Sequence, residues 1–171
     1  MACDRERIDM IIVGIDPGIS GAVAFIKLPS GVVEIYDTTV AEIKKGKTKK
    51  NEYLPYQMAK LLNFCRVGEF FLFIEKVHSM PGQGVASMFN FGRGFGLWEG
   101  IAAGLGLPIN YVTPQAWKKE VMTFAGDKDQ ARIRAQELFP ECSSLLSRKR
   151  DIGRADALLI AEYGRRVMKG R

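Results

Sequence analysis

Met10-Ile11-Ile12-Val13-Gly14-Ile15-Asp16-Pro17-Gly18-Ile19-Ser20-Gly21-Ala22 is the stretch from which the fold can be read. Five apolar residues interrupted only by Gly14 have the pattern of a strand buried on both faces, and the run stops at a carboxylate followed by Pro-Gly. Pro17 and Gly18 bend the chain, Ser20 and Gly21 complete the turn, and Val23-Ala24-Phe25-Ile26 supplies a second strand, so one acid stands at the end of a hairpin. Two readings of Asp16 are open on this stretch alone. It forms an Asx-type turn, as Asp before Pro-Gly often does, or it is a hard-cation ligand held on a rigid strand end.

A second run of the same kind, Phe70-Phe71-Leu72-Phe73-Ile74, also ends in a carboxylate, Glu75. Between the two, Tyr53 to Cys65 carries apolar residues at Leu54, Met58, Leu61, Leu62 and Cys65, which is helical spacing, with Pro55 acceptable in the first turn. Strand, helix, strand predicts a right-handed parallel crossover that lays the second strand beside the first with both C-terminal ends at one edge. Asp16 and Glu75 then become neighbours in the crevice where open α/β sheets bind ligands, a costly pairing unless a positive charge lies between them. Taken alone, Glu75 could equally form a salt bridge with Lys76.

The C-terminal part adds more acids. Leu145 to Arg154 is a basic, loop-like approach to a helix from about Ala155 through Arg166, whose Ala157, Leu158, Ile160, Ala161 and Tyr163 can pack on the sheet. Asp156 falls at the start of that helix and Asp151 just before it, where an acid also complements the helix dipole. Asp16, Glu75 and Asp156, with Asp151 as a possible fourth, are oxygen ligands without a histidine to share the work, the donor set of a hard divalent cation. His78 is the sole histidine, and the three cysteines are odd in number and scattered, so neither a disulfide framework nor a Cys/His zinc site is supported.

Around these motifs, the 171 residues form one domain, 1–171, with a formal charge of +6 that suits a nucleic-acid partner. Gly31 to Thr38 predicts a third strand of a meander. Lys44 to Lys50 holds five lysines in seven residues, read as a loop that is either simply solvated or in contact with phosphates. Val85 to Leu105 predicts a helix whose aromatic residues alternate with glycines. It suits close packing, in the core or between two copies, better than base stacking, and it lacks the Gly-Lys-Ser/Thr of a phosphate loop. Pro108 to Val112 predicts a strand, and Pro114 to Met122 and Asp129 to Leu138 predict short helices.

Ile-Val-Gly-Ile-Asp16-Pro-Gly, Phe-Ile-Glu75-Lys-Val and Gly-Arg-Ala-Asp156-Ala-Leu-Leu-Ile-Ala resemble, in order and spacing, the acidic motifs of the RuvC-type Holliday junction resolvases of the RNase H-like nuclease superfamily. The resemblance runs from about Met10 to Arg166 and is nearer the phage and viral branch. It implies an α/β fold with a five-stranded mixed sheet, the first three strands antiparallel, flanked by helices. It also implies a homodimer, two Mg²⁺ or Mn²⁺ ions per site, and paired nicks across branched DNA, the four-way junction. Carried across, Asp16 resembles the acid that bridges the metals, Glu75 the strand-end ligand and Asp156 the helical ligand. The family's further acid or histidine, three residues before the helical Asp, is Gly153 here, so Asp151 is the nearest substitute. His78 stands where the resembled bacterial enzyme places a wedging aromatic. Lys118 and Lys128 resemble basic residues near the scissile phosphate, and Arg93 lies in a segment matching a resolvase helix. Lys44, Lys45, Lys47, Lys49 and Lys50 are read as a further DNA contact.

Other classes stay open at this stage: a nuclease of the same fold acting on flaps, RNA or RNA–DNA hybrids, a junction-binding protein without turnover, and, last, an ATPase of the sugar-kinase and actin kind, for which the chain is too short. The expectation is no nucleotide cofactor and no membrane contact, since no apolar run reaches spanning length. A cytoplasmic location is expected, that of a host cell if the chain is phage-encoded.

Overall fold

The structure is a computed structural model that describes residues 10–46, 48–63, 68–76, 78, 82, 84–122 and 128–169. The chain begins with β1 (Met10–Asp16), β2 (Ala22–Leu28) and β3 (Val33–Asp37), followed by a hairpin of β4 (Val40–Lys45) and β5 (Thr48–Tyr53). Helix α1 (Pro55–Asn63) leads to β6 (Glu69–Glu75), then α2 (Val85–Gly104), β7 (Ile109–Val112), α3 (Pro114–Val121) and α4 (Lys128–Leu138). Two short 3₁₀ turns, Pro140–Leu146 and Lys149–Asp151, precede α5 (Ile152–Lys169).

Five strands make the main sheet in the order β3-β2-β1-β6-β7. The first three are antiparallel, while β6 runs parallel to β1 and β7 parallel to β6. This is the mixed sheet that the motifs imply, and its cause is visible in the connections: tight turns join β1 to β2 and β2 to β3, whereas helices α1 and α2 carry the two parallel crossovers.

Residues on the central strands alternate between two cores, one on each face of the sheet. Ile12 and Phe73 pack with Trp117 and the Ala157, Leu158 and Ala161 face of α5, whereas Ile11, Val13, Ile15 and Ile74 pack with Met58, Leu62, Trp98 and Ala102 of α1 and α2. Because both faces are covered, β1 and β6 are apolar between their ends, and each fully buried Ile or Leu contributes about 1.5–3 kcal/mol. Helix α5 lies across β1 so closely that a Cβ on Gly14 would sit 2.2 Å from the carbonyl oxygen of Ala157 and 2.3 Å from the amide nitrogen of Ala161. Both obstacles are helix backbone, which cannot step aside.

One expectation is corrected here. The lysine-rich segment expected to be a loop is a β-hairpin, with Val40 opposite Tyr53, Glu42 opposite Asn51 and Lys44 opposite Lys49. Gly46, at φ +63°, supplies the left-handed turn residue that such a tight hairpin needs. Its base is anchored because Tyr53 is buried with the α1 and α2 core and Val40 packs against it. Among the described residues no helix is long and apolar enough to cross a membrane.

The closeness of α5 to β1 gives a direct test. Gly14→Ala should destabilise the protein by about 3 kcal/mol or more, since a methyl would have to push α5 off the sheet. Urea unfolding of the two proteins measures the effect.

Candidate functional site

Asp16 and Glu75 are the last residues of β1 and β6, and the parallel register sets Ile15 opposite Ile74, so the two acids leave the sheet side by side. Two residues earlier on each strand, Gly14 and Phe73 face α5, and strand alternation carries Asp16 and Glu75 to that same face. The crossover expectation that makes these acids neighbours is met.

Helix α5, which carries the third acid, starts over the same edge. A Cβ on Gly153 would lie 2.2 Å from the carbonyl oxygen of Ser20, and Gly164, near the other end, abuts Phe73 and Ile12. The helix therefore runs antiparallel to β1 with its N-terminal end over the turn that follows Asp16. Asp156 stands one turn in from the start, partly buried. The helix begins at Ile152, earlier than the expected Ala155, so Asp156 occupies its second turn.

The Asp16 turn is built as an Asx turn, with the Gly18 amide donating to Asp16 Oδ1 at 3.1 Å and the Gly21 amide donating to the Gly18 carbonyl at 2.9 Å. From above, α2 closes on it: a Cβ at Gly94 would meet the Pro17 carbonyl oxygen and the Tyr53 hydroxyl, each at 2.4 Å. Tyr53 Oη donates to the Asn90 carbonyl at 3.1 Å, pinning hairpin to helix. Burial pushes the Asp16 carboxyl up to about 6, the Gly18 amide opposes this, and the negative charge of Glu75 adds to it. Burial likewise pushes the Tyr53 phenol up to about 12, with Asp16 contributing. Two acids side by side, one of them buried, are the electrostatic state that a cation would relieve.

Glu75 is fixed by a residue that sequence reasoning passed over. The indole Nε1 of Trp117, fully buried on α3, donates to Glu75 Oε1 at 2.8 Å. Helix α3 is held in turn at its start, where Thr113 Oγ1 accepts from the Ala116 amide at 3.2 Å and Pro114 takes the first position. A tryptophan in a short helix directly after a parallel strand was the available signal.

Asp151 is placed otherwise than expected. It is 3% exposed, its Oδ2 accepts from the Arg148 amide at 2.8 Å, and its Oδ1 pairs with Arg148 Nη2 at 2.8 Å and with Arg154 Nη1 at 3.9 Å. Both oxygens serve the entry to α5, and the Arg148 guanidinium holds the carboxyl below its usual range. Arg154 in turn grips Asp37 of β3 through two bonds of 2.6 Å. Among the described residues no three His, Cys, Asp or Glu side chains stand close enough together to hold a metal ion. Asp16 and Glu75 converge as a pair, and Asp156 lies on the neighbouring helix.

The basic residues are dispersed around this edge. Lys118 on α3 is exposed with its ammonium 5.2 Å over the Trp117 ring. Arg93 on α2 pairs with Glu52 at 2.6 Å and lies 5.8 Å over the Tyr53 ring. Lys44 is exposed on the hairpin, Lys49 pairs with Glu42 at 2.9 Å, and Lys50 pairs with Glu52 at 3.4 Å. His78 is exposed. Lys47 and the side chains of Lys45 and Lys128 lie outside the described residues.

This architecture is the RuvC-type form of the RNase H-like fold. Thermus thermophilus RuvC in complex with a Holliday junction substrate superposes with a TM-score of 0.57 at 14% identity, covering 92% of this chain and 96% of that one. A second Thermus thermophilus RuvC structure gives 0.52 at 17% identity, covering 93% and 97%. In sequence, the chain is similar to the chloroplastic Holliday junction resolvase MOC1 of Chlamydomonas reinhardtii, with 32% identity over 92 residues. That stretch is 53% of this chain and spans about a tenth of the relative, 10% of its length. No protein-family model matches.

The raised Asp16 carboxyl sets a pH dependence. Its ordinary value is 3.8 and its folded value about 6, so the folded protein binds this proton more tightly than the unfolded chain. Below about 4 both states are protonated and the group is neutral in effect. As pH rises through 6, ionisation costs stability, at most roughly 3 kcal/mol and less to the extent that water reaches the carboxylate. Asp16→Asn should therefore be more stable than wild type at pH 8 in EDTA, with the gain fading towards pH 4. Thermal unfolding across that range checks it.

Proposed function

We propose that this chain is a metal-dependent, structure-selective endonuclease that nicks four-way and branched DNA junctions by phosphodiester hydrolysis, within a single nuclease domain. The observation that carries the reading is the emergence of Asp16 and Glu75, side by side, from parallel strand ends onto the face that α5 covers with Asp156. The fold likeness to RuvC and the sequence similarity to a Holliday junction resolvase support it.

The donor set fits a hard divalent cation, Mg²⁺ or Mn²⁺: carboxylate oxygens alone, one of them made costly by burial and by its neighbour. Asp16 and Glu75 would hold it, with Asp156 approaching from the helix. When bound, the cation supplies Lewis acidity, which activates water and offsets the charge that builds on the phosphate. The reading carries two such ions per site, which Asp16, Glu75 and Asp156 would hold between them. Asp151 drops out of the set, because its oxygens are engaged by Arg148 and Arg154.

The protein's own residues do the rest. Gly18 orients Asp16, and Trp117 orients Glu75. Lys118, Lys128, Arg93 and the lysines of the hairpin neutralise phosphates around the acidic edge, which reconciles an acidic pocket with a net charge of +6. His78, three residues beyond Glu75 and exposed, would stack at the branch point. Two copies would meet through α2, whose Val85 and Phe89 are 79% and 70% exposed and whose Gly92, Gly96 and Gly100 have open space beside them at helical spacing. Two sites related by a two-fold axis would then act on opposite strands of a junction. The cytoplasm is the proposed compartment, and a phage is the proposed source.

The reading is tested with a synthetic four-way junction beside linear duplex, flap and RNA–DNA hybrid, in Mg²⁺, Mn²⁺ and EDTA. Wild type should make symmetric, metal-dependent nicks in the junction. Asp16→Asn should lower the rate by more than roughly 100-fold while binding the junction as well or better. Preferred cutting of flaps or hybrids would change the substrate, and binding without cutting in either metal would overturn the catalytic reading.

The hairpin has its own test. Changing Lys44, Lys45, Lys47, Lys49 and Lys50 to Gln should weaken binding to all DNA shapes and lower the salt slope by about 1 for each phosphate that is no longer neutralised. An unchanged slope in fluorescence-anisotropy titrations would leave these lysines as solvated charge.

A further inference from the structure

The two buried tryptophans of the chain are used differently. Both are fully buried, but Trp98, in the core between the sheet and α2, has an indole nitrogen without a hydrogen-bond partner among the described residues. Trp117, in the core on the opposite face, directs its Nε1 at Glu75 Oε1 with 2.8 Å between them. Burying an indole for volume alone does not require this, as Trp98 demonstrates. Burying it where the N–H meets a carboxylate compensates the desolvation of that N–H with a hydrogen bond strengthened by charge.

The surroundings make this contact more than packing. Glu75 is the terminal residue of β6, beyond the last apolar pair of the ladder, so the sheet fixes its backbone and leaves its side chain several rotamers. The backbone amide that follows, Lys76, is tied to the Val112 carbonyl at 2.7 Å, and two residues after Val112 the capped helix α3 begins. Trp117 is thus positioned by the same β6 to β7 pairing that positions Glu75, and the distance between donor and acceptor is set by the sheet. The other side of the indole is occupied too: the Lys118 ammonium stands 5.2 Å over the ring, so one side chain touches an acid at its edge and a base at its face.

We propose that Trp117 is a positioning residue that holds the Glu75 carboxylate in the rotamer required to bind a divalent cation beside Asp16. The inference rests on the metal site proposed above. Groups that orient a metal-binding carboxylate typically affect metal affinity by roughly 10- to 100-fold. Removing the indole N–H should release Glu75 to other rotamers and weaken cation binding without touching a ligand.

The experiment is a calorimetric titration of Mn²⁺ into the DNA-free protein, with urea unfolding in EDTA on the same samples. Wild type is compared with Trp117→Phe, Trp98→Phe, Glu75→Gln, and a protein carrying benzothienylalanine at position 117, in which sulfur replaces the N–H at nearly constant ring volume. The proposal expects the sulfur analogue to unfold like wild type in EDTA yet to bind Mn²⁺ roughly 10-fold or more weakly. Trp98→Phe should bind Mn²⁺ like wild type. A sulfur analogue with wild-type affinity would overturn the proposal and leave Trp117 as packing, even if Trp117→Phe fails to fold. If Glu75→Gln abolishes Mn²⁺ binding and the analogue does not weaken it, only the positioning role falls. If Glu75→Gln itself binds like wild type, the metal site falls and the positioning role with it.

Discussion

The constraint on which the rest depends is the parallel pairing of β1 with β6. Once Ile15 is opposite Ile74, two strands end at the same level and the next residue on each is an acid. Bringing two carboxylates together where water is scarce is unfavourable, and the raised Asp16 carboxyl records that cost. Everything adjacent limits the damage without removing it: the Gly18 amide takes one oxygen of Asp16, the Trp117 indole takes one of Glu75, and neither brings a positive charge. A fold that only needed stability would place a lysine here. Neutral donors on both acids fix their oxygens without cancelling their charge.

Positive charge is instead kept at a distance and partly occupied. Arg93 and Lys50 both lean on Glu52, and Lys49 on Glu42, at the base and along the strands of the hairpin. These are exposed pairs of small energy, easily exchanged for a phosphate. The hairpin is nevertheless tied mechanically to the acidic edge, because Tyr53 at its foot binds the Asn90 carbonyl and crowds Gly94, which in turn rests on Pro17. Acidic centre and basic periphery therefore meet through α2.

Much of this was legible in the sequence, for a definite reason. Strands buried on both faces must be apolar at every position, so β1 and β6 stand out, and an abrupt acid at the end of each is informative only because the crossover rule puts both ends at one edge. The hairpin was not legible. Its alternation is carried by lysine, glutamate and asparagine, which composition reads as a solvated loop, and only Val40 and Tyr53 anchor it. Asp151 was misleading because an acid before a helix is equally suited to capping and to ligation. The deciding fact, Arg148 folding back on it, is a side-chain contact. For Trp117 the only signal was its place in a short helix directly after a parallel strand, since no pattern records where an indole N–H points.

Gly153 explains why this chain has one acid fewer than its motif suggests. The seat of α5 on β1 needs Gly14 opposite Ala157 and Ala161, and the same line of approach presses the helix start against the Ser20 carbonyl and the Gly21 Cα, leaving no room for any Cβ at 153. An acid at 153 would require the helix end to retreat from the turn after Asp16. That retreat would carry Asp156, one turn further along the same helix, away from the edge where Asp16 and Glu75 emerge. In this chain a carboxylate at 153 and the present seat of α5 on the turn after Asp16 are alternatives, and the backbone contacts favour the seat. Asp151 does not replace such an acid, because its carboxylate is taken up by the Arg148 and Arg154 contacts that fix where α5 begins.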